Sequence, residues 1–126
     1  MSIKGIQGNW DDGKNKIEVN LSMIHFMEDG IQVLYCPALD LSGYGGTEKE
    51  AFDSFQVSLD EFLFYTLRKG TLLIEMKRLG WEIKKKGKPM IPPNMQQLLE
   101  NNDNFRRIFN NYSFRKFDQH VSIPAA

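Results

Sequence analysis

The chain has 126 residues, a single cysteine, two histidines, and 16 acidic against 16 basic side chains. A chain this long is expected to form one domain that buries roughly two-thirds of its extended-chain surface. The lone Cys36 excludes an internal disulfide framework, and two histidines with one cysteine cannot build a usual structural zinc site without carboxylates. No run approaches the ~18 apolar residues needed to cross a membrane, and the first residues lack the apolar stretch of a signal peptide, so a cytoplasmic setting is expected.

Zero net charge conceals an asymmetry: residues 1 to 76 carry 6 Lys/Arg and 12 Asp/Glu, whereas residues 77 to 126 carry 10 and 4. Either the basic part folds or dimerises against the acidic part, or it presents a basic surface to an external polyanion. In chain order, residues 1 to 15 show no periodicity and are expected to be loose unless Trp10 finds a pocket. Ile17, Val19, Leu21, Met23 and His25 then alternate with Lys16, Glu18, Asn20, Ser22 and Ile24, the period of a half-buried strand. Glu28, Asp29 and Gly30 signal a hairpin turn. On the returning strand Ile31, Val33 and Tyr35 face one way and Gln32, Leu34 and Cys36 the other. Leu39 and Leu41 continue the alternation into a third strand.

Pro37 belongs at a strand end because it lacks an amide hydrogen, and Gly43, Gly45 and Gly46 are expected to reverse the chain through positive φ angles. Thr47 with Glu50 makes a capping box. Ala51, Phe52, Phe55, Leu59, Phe62, Leu63 and Thr66 then draw one apolar stripe along a helix of roughly five or six turns. Arg68 and Lys69 complement its carboxyl-end dipole, and Gly70 stops it. Pro37, Leu39, Leu41, Gly43, Gly46, Thr47, Glu50 and Ala51, followed by this Phe/Leu helix, resemble the HicB-like antitoxin domain over about Ile17 to Lys86. The resemblance implies a small antiparallel sheet of three or four strands with one helix across a face. It also implies a protein that neutralises a small RNA-cleaving toxin by covering it.

Val57, Phe64 and Leu67 fall off the helix stripe and interleave with Asp53, Asp60 and Glu61. A second subunit, the C-terminal segment or a partner could cover them, or they are ordinary isolated surface residues. Asp60 and Glu61 point apart by about 100° and read as solvated charge, not as a catalytic pair. The same residues, with uncovered sheet edges, lead us to expect a homodimer.

After Gly70, Thr71 is read as a second cap for a short helix, Leu72 to Leu79, with Leu73, Met76 and Leu79 as its buried side. Trp81 and Ile83 alternate with Glu82 and Lys84, which predicts a fourth strand. Lys84, Lys85, Lys86 and Lys88 form either a phosphate-binding patch or a lysine-rich loop guarding a sheet edge. Pro89, Pro92 and Pro93 mark a linker, giving a loose segment 1–15, an α+β core 16–88 and an appendage with tail 89–126. Asn94 with Gln97 opens a helix, and the Asn101 to Asn104 cluster breaks or recaps it before Phe105, Ile108 and Phe109. Some members of the resembled family carry a DNA-binding element after the core. Arg106 and Arg107 on two short helices imitate one, but without a recognisable reading helix a packed appendage is expected. Phe117, Val121 and Ile123 share one face of a final extended run, able to add a strand to a sheet edge.

For chemistry, His25 reads as a strand-end histidine and Cys36 as a small buried hydrophobe, with no nucleophile relay, metal motif or cofactor motif in view. The expected function is a non-enzymatic protein-binding module using Val57, Asp60, Glu61, Phe64 and Leu67 on a small basic toxin. The alternatives are a nucleic-acid-binding regulator using Lys84, Lys85, Lys86, Arg106 and Arg107, an orphan regulator of unknown ligand, and a small enzyme built on His25 or His120.

Overall fold

A computed structural model describes residues 6–7, 16–82 and 90–124. The elements in order are β1 (Ile6–Gln7), β2 (Lys16–Glu28), β3 (Ile31–Cys36), β4 (Leu41–Gly45), α1 (Glu48–Lys69), α2 (Leu72–Arg78), α3 (Met95–Asn101), α4 (Asp103–Asn111) and β5 (Phe114–Pro124). They form an α+β domain with one sheet in the order β1-β5-β2-β3-β4, antiparallel except for a two-residue parallel pairing of β1 with β5. Of the segment expected to be loose, Ile6 and Gln7 are therefore a strand; Trp10 and its neighbours lie outside the described residues.

Strand alternation sends the two faces of the sheet to different helices. Leu21 and Met23 on β2, Leu34 and Cys36 on β3, and Val121 and Ile123 on β5 pack with Ala51, Phe55, Leu59 and Leu63 of α1. Ile24, Phe26, Val33 and Tyr35, on the opposite face, pack with Leu98, Phe105 and Ile108 of α3 and α4. The appendage is thus a third layer with its own apolar core. The β2–β3 turn places Asp29 and Gly30 at φ 52° and 79°, the conformation a two-residue hairpin requires.

The β3–β4 connection differs from the expectation. The chain reverses at residues 37–40, where Asp40 takes φ 53°, while Gly43 and Gly45 lie within β4 and are not among the positive-φ residues. Their missing side chains serve close approach: a Cβ on Gly45 would meet the Glu50 Cβ at 2.4 Å, and one on Gly43 would run into α1 backbone. α1 crosses β4 that closely only because of these two glycines.

Thr47 caps α1 through a 3.1 Å bond from the Glu50 N–H to its hydroxyl, an interaction worth about 1 kcal/mol. Gly70 ends the helix in the left-handed conformation, φ 68°. Thr71 makes no side-chain cap to α2. The residues of α2 that enter the core are Leu72 and Met76, with Leu79 partly buried beyond them, whereas Leu73 stands outward. The expected fourth strand is an isolated bridge between Glu82 and Ile91, and Ile83 lies outside the described residues. β2 is flanked on the side away from β3 by β5, paired from Phe26–Phe114 to Lys16–Pro124. The tail therefore extends the chain's own sheet.

Two polar ties hold the 37–40 turn between the layers. Trp81 donates its indole N–H to the Ala38 carbonyl at 2.8 Å on one side. On the other, the Asn102 amide donates to the Pro37 carbonyl at 3.2 Å and to the Tyr35 hydroxyl at 2.9 Å. The same Asn102 ends α3 and caps α4 through its side-chain oxygen, which is how the asparagine cluster breaks the helix and recaps it. Asn94 and Gln97 complete a reciprocal capping box at the start of α3.

Candidate functional site

Among the described residues the outer face of α1 combines exposed apolar groups with acidic ones. Its buried line, Ala51, Phe55, Leu59, Leu63 and Thr66, leaves the opposite side of the helix to Val57 and Phe64, seven residues apart and therefore on nearly the same bearing. They are 55% and 62% exposed. Asp53 and Glu61 are exposed beside them, and Asp60, partly buried, accepts a hydrogen bond from Gln56 at 3.1 Å. Leu67 differs from the other residues expected here, being partly buried and packed against the main core. Tyr65, which lies off the apolar stripe, is 62% exposed. Its ring sits between the buried line and the outer face, where the bearing alone does not distinguish a wet aromatic from a packed one.

The sheet edge next to this helix is closed in part by α1. The Tyr44 N–H donates to the Ser54 hydroxyl at 3.1 Å, and the Ser58 hydroxyl donates to the Ser42 carbonyl at 2.9 Å. Two serines one turn apart on α1 thus take up a donor and an acceptor of the edge strand β4. The sequence offered a faint signal for this, serines four residues apart on the flank that faces a glycine-rich strand.

Arg106 and Arg107 are engaged within the fold. Arg106 pairs with Asp103 and donates to the Leu99 and Glu100 carbonyls at 3.2 Å, the free end of α3. Arg107 lies 3.7 Å from Glu28 and over the Tyr112 ring, and Tyr112 donates its hydroxyl to the same Glu28, a bond that raises the phenol's pKa. Both arginines stitch the appendage to itself and to the β2–β3 hairpin. Lys84, Lys85 and Lys86 lie outside the described residues.

His25 and His120 occupy opposite faces of the sheet. His25 stands 2.6 Å from the Gln32 amide oxygen and 3.6 Å from Glu48, which Arg115 also approaches at 3.5 Å, beside a small cavity lined by Leu34, Ala51 and Phe117. His120 contacts Glu18, and Ser122 donates to that same carboxylate at 2.8 Å. The serine hydroxyl thus faces a carboxylate and not the imidazole, so the relay that would activate it is not assembled. Cys36 is fully buried, and desolvation pushes its thiol up to about 12, the reverse of what a nucleophile needs. The described residues hold no group of three or more His, Cys, Asp or Glu side chains arranged for a metal ion, and no helix among them is long and apolar enough to cross a membrane.

Compared with models of known protein families, with curated proteins and with solved structures, the chain gives no match.

Proposed function

We propose that this chain is a non-enzymatic protein-binding module of the HicB-like antitoxin kind, acting in the cytoplasm on a small basic partner, of which an RNA-cleaving toxin is the family's example. The observation that carries the reading is the outer face of α1, where Val57 and Phe64 stand exposed between Asp53, Asp60 and Glu61. An apolar pair inside an acidic rim suits a basic protein surface, because buried aromatic anchors supply affinity while the charged rim steers the encounter. The pattern from Pro37 to Ala51 supplies the family resemblance.

The test is affinity purification of the full chain from its source cells at low salt, beside a Phe64→Asp variant. A stoichiometric small basic protein retained by the parent and lost with the variant is the expected result. Retained nucleic acid that washes away with salt, as counterion release dictates, would replace this reading with that of a regulator.

A further inference from the structure

A cavity of about 230 Å³ lies where the 37–40 turn, the end of α2 and the α3–α4 junction meet. The turn contributes Asp40, α2 contributes Arg78 and Leu79, and the junction contributes the run from Asn101 to Asn104. Leu79 is the one apolar residue in this lining. The volume falls below the roughly 300–1,000 Å³ of pockets for drug-sized molecules, so the occupant is small.

Opposite charges share this cavity without pairing to each other. The Asp40 carboxylate accepts the Tyr35 hydroxyl at 2.5 Å and the Asn104 amide at 3.4 Å, both on Oδ1, and among the described residues Oδ2 has no partner. Arg78 binds Glu75 through Nε and Nη2, each at 2.9 Å, and among the described residues Nη1 has no partner. We propose that the cavity binds a small zwitterion, a free polar α-amino acid, with its ammonium on Asp40 and its carboxylate on Arg78. A ligand of one charge engages one of these groups, whereas a molecule carrying both engages both through charge-assisted bonds. The asparagine amides, each a donor and an acceptor, suit a polar side chain. Asp103 brings a second carboxylate to the lining, already held by Arg106. The site is also built before its ligand arrives. Tyr35 is buried and fixes Asp40, Trp81 and Asn102 hold the turn from its two sides, and Leu72 and Met76 seat α2 in the core. A preorganised site loses less to ordering on binding.

No residue of the outer face of α1 takes part, so this proposal and the antitoxin-like reading fail separately. Titration of the isotope-labelled full chain with L-glutamine and with L-serine at millimolar concentration should shift the amide resonances of the turn, the end of α2 and the α3–α4 junction, and should raise the Tm. Glutaramate, which is glutamine without its ammonium, and γ-aminobutyramide, which is glutamine without its carboxylate, should each bind about tenfold more weakly, since each lacks one charge-assisted bond. Asp40→Asn keeps an oxygen for the Tyr35 hydroxyl and tolerates φ 53°; it should weaken glutamine about tenfold and leave glutaramate unchanged. Arg78→Gln, at an exposed side chain, should weaken glutamine by a similar factor and leave γ-aminobutyramide unchanged. Thermal unfolding without ligand checks that both variants fold. The proposal is overturned if neither amino acid shifts those resonances, if the single-charge analogues bind as well as glutamine, or if both variants bind like the parent.

Discussion

Gly43 and Ala51 meet backbone to backbone: a Cβ built on the glycine would lie 2.2 Å from the Ala51 carbonyl oxygen and 2.3 Å from the Phe55 nitrogen. Neither neighbour is a side chain that can swing away. Gly43→Ala should therefore push α1 off the sheet and cost at least about 3 kcal/mol, the upper end of overpacking penalties. At Gly46 the nearest atom would be the flexible Glu50 carboxylate at 3.5 Å, so Gly46→Ala should change stability by less than about 1 kcal/mol. Urea unfolding of the two variants compares them directly.

Trp81 and Asn102 grip the same turn from opposite faces. Trp81→Phe leaves the Ala38 carbonyl buried without its donor and should cost about 1–3 kcal/mol. Asn102→Ala removes a helix cap together with the bonds to Tyr35 and Pro37, a loss of similar size. Since each variant loosens the turn the other holds, the double variant should lose less than the sum of the two. A double-mutant cycle in denaturant reads that coupling.

Burial of Cys36 has a signature at high pH. Its thiol ordinarily ionises near 9.0 and is pushed up to about 12 in the fold. Below pH 9 the thiol keeps its proton in both states and this group adds no pH dependence. Above it the unfolded chain releases the proton while the folded chain keeps it. Stability should then fall by about 1.4 kcal/mol per pH unit between pH 9 and 12. Tyr35, raised in the same direction chiefly by burial, adds its own decline above pH 10. The Cys36→Ala variant should lose the part that begins near pH 9, and equilibrium unfolding across pH 8 to 11 separates the two.

Ser54→Ala with Ser58→Ala reopens the β4 edge. Each substitution removes one hydrogen bond to the strand and should cost about 1 kcal/mol. The more telling outcome is concentration-dependent association with increased thioflavin binding, since a freed edge is a template for strand addition. A variant that is less stable but shows no tendency to associate would show that the serines only support the helix.

What could be read from the sequence follows local periodicity. The stripe of α1, the opposed facing of Val33 and Tyr35 against Leu34 and Cys36, the asparagine recap and the shared face of Phe117, Val121 and Ile123 are each set by a repeat of 3.6 or 2, or by a cap, within a few residues. Misread features turned on long-range geometry. Gly43 and Gly45 look like turn glycines because nothing nearby in the chain announces a helix lying across them. The alternation at Trp81 and Ile83 predicts a strand where the structure has a single bridge at Glu82, while β5, legible as an extended run, leaves no local trace of its partner β2 far back along the chain. Leu72 displaced Leu73 because the left-handed stop at Gly70 sets the rotation at which α2 begins. The outer face of α1 was legible in Val57 and Phe64, but the serine closure beside it depends on where β4 happens to pass.

The pairing of β2 with β5 also orders events in time. Glu18 and Ser122, bonded across the sheet, are 104 residues apart, so the strand that completes β2 is synthesised long after β2 itself. Until then, among the described strands, β2 has β3 for a partner over Ile24 to Glu28 and lacks the one that covers its other side. A nascent chain that stalls before Phe114 is therefore not a smaller edition of this domain but one with an open strand, suited to capture by chaperones or proteases.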